Sequence, residues 1–164
     1  MRQADLGLSV KWAVCNVGAS TPEAYGNYYA WGETVPKSNY MGSTYTYSNT
    51  PSVLPLNRDA ASVNWGGEWR MPTSDEILEL KEKCNWKWTG RGYKVTGPNG
   101  NSIFLPAAGF YNGSSLVYQT NVGGYWSRSL QIDLSYCAYS LYFSTNNVYT
   151  FGENRYVGKT IRPV

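Results

Sequence analysis

The chain has 164 residues, enough for one compact domain with a real core and too few for two ordinary ones. Its 14 basic and 11 acidic residues leave a net charge of +3 without long runs, which argues against a nucleic-acid or membrane-surface protein. There is no histidine, so His-based triads, His-ligated zinc and histidine pH switches are excluded.

In chain order, Asp5–Val14 alternates well enough to predict a strand, and Tyr25–Glu33 reads as a second extended, glycine-punctuated segment. Residues 34–57, rich in Pro, Ser, Thr, Tyr and Asn, predict a long surface loop. A short helix fits Asp59–Val63. The strongest element follows Pro72, where Thr73-Ser74-Asp75-Glu76 matches a capping box and places two acids in the first helical turn. Ile77, Leu80 and Cys84 then form a buried stripe, with Glu79, Lys81, Glu82 and Lys83 toward water, and the helix is expected to end near Asn85. Glu76, Glu79 and Glu82 read as a solvated face rather than a catalytic pair.

From Gly92 onward the pattern is β. Tyr93–Thr96 and Ser102–Leu105 flank Gly97-Pro98-Asn99-Gly100-Asn101, a hairpin turn whose Asn-Gly is expected to supply positive φ angles. Further strands are expected at Gly124–Ser129, Ala138–Phe143, Val148–Phe151 and Thr160–Val164, with Pro163 tolerable only near a strand end or edge. No internal repeat is visible. The fold class is α+β with a β-rich C-terminal half. No apolar stretch reaches the length of a membrane span and no leader opens the chain, so direct membrane insertion is not expected and any export or anchoring signal is expected outside these residues.

The aromatic balance is unusual. There are 15 Tyr and 7 Trp against 4 Phe, although a core seeking only burial favours rings without a hydroxyl to satisfy. Tyr with Ser, Asn and Gly is the composition of recognition surfaces, and it is equally a composition that strands accept. Position sharpens the choice. From Gly109 the last 56 residues hold eight Tyr and only six charged residues: Arg128, Asp133, Glu153, Arg155, Lys159 and Arg162.

Asp5-Leu6-Gly7-Leu8-Ser9-Val10-Lys11-Trp12-Ala13, Tyr29-Ala30-Trp31-Gly32-Glu33, Asn64-Trp65-Gly66-Gly67-Glu68-Trp69-Arg70-Met71-Pro72-Thr73, Phe104-Leu105-Pro106-Ala107-Ala108-Gly109, Tyr125-Trp126-Ser127 and Ile161-Arg162-Pro163-Val164 together resemble the Fibrobacter succinogenes major paralogous domain family, common in surface proteins of gut Bacteroidetes. The resemblance spans essentially the whole chain. It implies one C-type lectin-like domain over 1–164, with paired N- and C-terminal strands, about two helices, and a candidate ligand-binding or variable region near 110–160. It also implies that Trp65, Trp69 and Trp126 are scaffold.

Related folds suggest three chemistries. Calcium-dependent lectins carry Glu-Pro-Asn or Gln-Pro-Asp loops, and the nearest strings here, Gly97-Pro98-Asn99 and Asn64-Trp65-Gly66, lack the acids such an ion requires. Formylglycine-generating relatives use paired cysteines, whereas Cys137 stands alone in that region with no base beside it. Cys15 and Cys84 are open to being either free thiols or a bridged pair. No catalysis, cofactor or metal is therefore expected. The third chemistry is recognition by the C-terminal face, as in the variable proteins of diversity-generating retroelements, where adenines of Asn codons mutate. Between Ser129 and Val157 only Gln131 and Glu153 are residue types that such codons cannot reach.

The candidate ligand residues are Tyr118, Leu130, Ile132, Asp133, Leu134, Tyr136, Tyr139, Ser140, Tyr142, Asn146, Tyr149, Phe151 and Tyr156. Alternation in 138–143 makes Tyr142 a better surface candidate than Tyr139, with Leu141 and Phe143 in the core. Leu130, Ile132 and Leu134 make sense exposed only against a partner, or else as inward strand residues. The expectation is a surface-displayed or secreted recognition domain for a protein or cell-surface ligand, possessing no nucleic-acid role. The alternatives are a structural or adhesin/pilus module, a formylglycine-generating-enzyme-like domain without catalysis, or an enzyme-like domain acting on or binding small glycans in a deep cleft with clustered acids.

Overall fold

The computed structural model describes residues 1–164. The capping box forms as the residues dictate: Glu76 N–H donates to the Thr73 hydroxyl at 3.2 Å, and Thr73 N–H donates to the Glu76 carboxylate at 2.8 Å. The helix it starts, α2, spans Ser74–Lys83 and buries Ile77 and Leu80, each contributing roughly 1.5–3 kcal/mol. Its predecessor α1 spans Ala60–Trp65, with the buried Asp59 capping it through Ser62 N–H at 3.0 Å. Two acids of α2 are less solvated than expected. Glu76 forms a bidentate pair with Arg70 at 2.8 and 2.7 Å, and Glu79 accepts from the Ser9 hydroxyl at 2.8 Å.

Two three-stranded antiparallel sheets carry most of the chain. One runs β3 (Asn85–Trp88), β4 (Gly92–Thr96) and β5 (Ser102–Pro106) in that order. In the other, β9 (Cys137–Phe143) is central, with β8 (Gly123–Leu130) and β10 (Val148–Asn154) as its neighbours. A small hairpin, β6 (Phe110–Asn112) with β7 (Ser115–Val117), lies between them in sequence. Tyr125, Leu141 and Phe143 pack against Tyr93, Val95, Ile103 and Leu105 and against Ile77 and Leu80 of α2, so the two sheets share one core. On the other face of the β8–β9–β10 sheet, Trp126, Leu130 and Ala138 meet Tyr29, Trp31, Tyr47, Leu54 and Met71. The loop over 34–57, which holds two single-turn 3-10 segments, thus covers one end of that face; Leu130 N–H donates to Ser52 O at 2.9 Å.

Several expectations are corrected. The opening strand is only β1 (Gln3–Ala4) paired with β2 (Trp12–Ala13), because Gly7 enters the left-handed region at φ +79° and the intervening residues bend away. Tyr25–Glu33 is irregular, with one bridge from Tyr29 to Lys159. The 97–101 turn has Pro98 and Asn99 at its centre and only Gly100 at positive φ (+89°), so it is a turn followed by a left-handed glycine rather than an Asn-Gly turn with two positive φ angles. Thr160–Val164 is not a strand. Thr160 bridges Tyr125, and beyond it Pro163 O accepts from Ala13 N–H at 2.9 Å, Ile161 O accepts from Val17 N–H at 3.0 Å, and Val164 exchanges two bonds with Arg70. The two ends of the chain lie together by this means. Trp126 is fully buried, but Trp65 and Trp69 are half-buried and stacked edge-to-face at 5.2 Å. Cys15, Cys84 and Cys137 are all free thiols.

Candidate functional site

Strand alternation sends Leu141 and Phe143 into the shared core and Ala138, Ser140 and Tyr142 to the other face of β9. The antiparallel register sets Tyr149 opposite Tyr142 and Phe151 opposite Ser140, so both join that face. The three rings close a triangle: centroids are 5.1 Å apart for Tyr142–Tyr149, 5.5 Å for Tyr142–Phe151 and 5.9 Å for Tyr149–Phe151. Nearby, Tyr118 packs on Phe110 at 5.7 Å. Tyr118 and Tyr149 are 58% and 42% exposed, whereas Tyr142 and Phe151 are half-buried. The result is an aromatic shelf.

Lys159 joins its two halves from beneath. The closing segment fixes its backbone through two bonds with Tyr29, and its side chain crosses the sheet over Gly124. Its ammonium lies 4.7 Å from the centre of Phe151, 5.4 Å from Trp126, 5.8 Å from Phe110 and 6.0 Å from Tyr142, within cation–π range of all four rings. It donates to the Ser140 hydroxyl at 3.0 Å and has Glu153 at 3.7 Å. Lys159 is fully buried, and burial pushes its pKa down to about 8 from 10.5, a fall that Glu153 partly offsets.

This depression has a sign that can be measured. Between pH 8 and 10.5 the unfolded chain holds the lysine proton more tightly than the folded one, so stability rises with pH. The gain is about 1 kcal/mol between pH 7.5 and 9. Above pH 9 the half-buried Cys84 thiol and the buried Cys137 thiol, whose pKa values desolvation raises, act in the opposite direction. Urea unfolding across that window should show the rise in the wild type and not in Lys159→Met; a flat wild-type profile contradicts the burial of Lys159 beneath the rings.

The backbone at Tyr118 adds a local cost. It adopts φ +59°, and Thr120 two residues on adopts +70°, a conformation costing non-glycine residues about 1 kcal/mol or more. Val122 and Asn121 N–H groups both donate to Tyr118 O and hold the ring-bearing turn in place.

The expected site residues divide. Tyr118, Tyr142, Tyr149 and Phe151 come together on the shelf, with Asn146 exposed in the β9–β10 turn at its end. Ile132, Asp133, Leu134 and Tyr136 sit in the β8–β9 turn, all exposed, Ile132 at 78%. That tip lies about five residues along β9 from Tyr142, or roughly 17 Å. Tyr139 points to the opposite face, half-buried beside a hollow of about 340 Å³ with Ser74, Asp75 and Thr150. Tyr156 is half-buried, its hydroxyl bonded by the Asn154 amide at 3.3 Å. Two residues leave the surface altogether. Leu130 is buried because the loop through Tyr47 and Leu54 covers its end of the sheet, and Ser140 because the Lys159 side chain lies over it.

Phe110, Trp126, Glu153 and Lys159 belong to the site without having been legible as ligand residues. One signal was available for Lys159: it is the lone lysine after Gly109. The phenols also sort by partner. Buried Tyr28, Tyr40, Tyr93 and Tyr125 donate to carbonyls of Ala108, Tyr28, Ser144 and Pro106, whereas the hydroxyls of Tyr118, Tyr136, Tyr142 and Tyr149 have no partner in the protein. No three His, Cys, Asp or Glu side chains converge to hold a metal, and no helix is long and apolar enough to cross a membrane. Compared with protein-family models, curated proteins and solved structures, the chain matches none.

Proposed function

We propose that this chain is a non-enzymatic recognition domain on a C-type lectin-like frame, displayed at a cell surface or secreted, that takes a protein or cell-surface ligand on its aromatic shelf. The observation that carries the reading is the set Tyr118, Tyr142, Tyr149 and Phe151, whose phenols are unpartnered and which is underlaid by a buried lysine lying against the Phe110, Tyr142 and Phe151 rings. Rings held in contact lose little entropy when a ligand arrives, and free hydroxyls remain to bond it. The frame is supported by the adjoining chain ends, the helix after Trp69-Arg70-Met71-Pro72-Thr73, and the resemblance of those motifs to the Fibrobacter succinogenes major paralogous domains.

Diversification of the 110–160 stretch is part of the same reading. The backbone of β8, β9 and β10 is bonded by its own ladders, so side chains at Tyr118, Ile132, Asp133, Leu134, Tyr136, Asn146 and Tyr149 can change without removing a core contact. Neighbouring DNA carrying a near-copy of these codons, altered only at adenines, is its expected genetic signature.

The binding claim is tested with peptides selected from a random display library on the wild-type protein. The tightest of them should bind Tyr149→Ser and Tyr142→Ser on the order of thirtyfold more weakly, as loss of a central aromatic anchor does. Selected peptides that bind both variants with wild-type affinity contradict the assignment.

A further inference from the structure

A cleft of about 840 Å³ lies away from the shelf, against the outward face of β4 and β5. The inner face of that sheet is core, and alternation turns Lys87 of β3, Lys94 of β4 and Phe104 of β5 outward. The register puts these three in one row: Lys87 directly faces Lys94, which faces Phe104. Two like charges directly opposed across a ladder are destabilising, and nothing nearby relieves them. Lys94 lines the cleft with two more cations, Arg2 and Arg91, while Lys87 stands beside Lys94 at its margin; Glu23 is the one acid on the lining. The ion pairs of the fold are made by Lys37, Arg70, Lys83, Arg128 and Lys159, so all four cations at this face are left without a carboxylate.

The cleft walls narrow the ligand class. β4 lies between β3 and β5, so its backbone amides are taken up by the two ladders, and no helix start lines the cleft. Anionic groups here would be met by long, separated side chains. Between them lie the half-buried rings of Tyr25 and Phe104 and the hydroxyls of Thr89 and Ser102, surfaces suited to the faces and hydroxyls of sugar rings. We infer that this cleft binds an anionic oligosaccharide, a sugar chain bearing sulfate or carboxylate groups, at a second site independent of the aromatic shelf.

The test is titration of the intact chain with a heparin-derived oligosaccharide (sulfate and carboxylate), an oligogalacturonate (carboxylate alone), a neutral dextran oligomer and single-stranded DNA. The expected result is binding of one or both anionic sugars, no binding of dextran, at least tenfold weaker binding of DNA, and affinity that falls as salt is raised. Lys87→Ala with Lys94→Ala should weaken sugar binding at least tenfold without lowering the melting temperature, since it relieves a like-charge pair. Tyr149→Ser should leave sugar binding unchanged, which separates this site from the shelf. The inference is overturned if neither anionic sugar binds, if dextran binds equally, if DNA binds as tightly, or if the double variant retains its affinity. Loss of sugar binding in Tyr149→Ser would also overturn it, by moving the sugar to the shelf.

Discussion

Arg162→Ala is expected to cost about 3–5 kcal/mol of folding stability, the largest effect of any single substitution considered for this chain. The guanidinium is 1% exposed and donates at 2.8 Å to the Asn16 side-chain carbonyl, at 3.2 Å to Ala13 O and at 2.8 Å to Phe104 O. Those acceptors belong to the opening segment and to β5, so one side chain from the end of the chain ties three parts of the sequence together. Asn16 continues the network, its amide donating to Tyr25 O at 2.9 Å and to the Tyr125 hydroxyl at 3.2 Å. Alanine would leave two buried acceptors and one half-buried one without their guanidinium donor, and a void where the side chain lay. Denaturant unfolding measures the loss, which corresponds to a fall of roughly 10 °C in melting temperature for a domain of this size. Arg162→Lys should recover less than half, because one ammonium cannot span the three acceptors. A loss below about 1 kcal/mol would show that the network is not what joins the ends.

Arg155→Ala is expected to cost about 3 kcal/mol and to loosen two distant surface segments together. Its guanidinium donates to the Tyr45 hydroxyl at 3.0 Å and to the carbonyls of Tyr47, Asn49 and Ser135 at 2.8, 2.7 and 3.1 Å, while lying 4.8 Å from the Trp31 ring. Tyr47 and Asn49 belong to the long loop that covers Leu130, and Ser135 belongs to the exposed β8–β9 tip. Without Arg155 the loop keeps its apolar contacts and its backbone bonds at Ser52 and Leu54 but loses those that fix Tyr47 and Asn49. Amide exchange should therefore accelerate at 45–49 and at 131–136 together, with the β4–β5 hairpin unaffected. Faster exchange in one of those segments alone would show that Arg155 does not couple them.

Both predictions come from a pattern that composition only half discloses. The tail is charge-poor, and its charges would ordinarily be assigned to the surface; instead Arg155, Lys159 and Arg162 are buried and act as internal fasteners, while Tyr118, Tyr136 and Tyr149 face solvent. Residue type alone favours the reverse, because the reason for burying these cations lies in carbonyls and rings far away in sequence. The α2 helix was legible because a capping box and a 3.6-residue stripe are local signals. The β4–β5 hairpin was legible too, although its turn was not, since Pro98 directs the turn type and Asn99 keeps a negative φ. Asn85–Trp88 alternates cleanly, outward Asn and Lys against inward Trp, yet four residues abutting a helix end are too few for a period to stand out. Within the candidate site, Leu130 and Ser140 were misplaced because both faces of β8 and β9 are covered along part of their length. Alternation assigns a side chain to a face, and it does not say what lies over that face.

Amide hydrogen exchange of the complex with a library-selected peptide tests the central claim most directly. Protection is predicted at the Tyr118 turn and along the outer half of the β9–β10 hairpin, from Tyr142 through Phe151, with the far sheet unchanged. Protection confined to α2 or to the Lys87–Lys94 face, with the tyrosine-bearing strands exchanging as in the free protein, would contradict it.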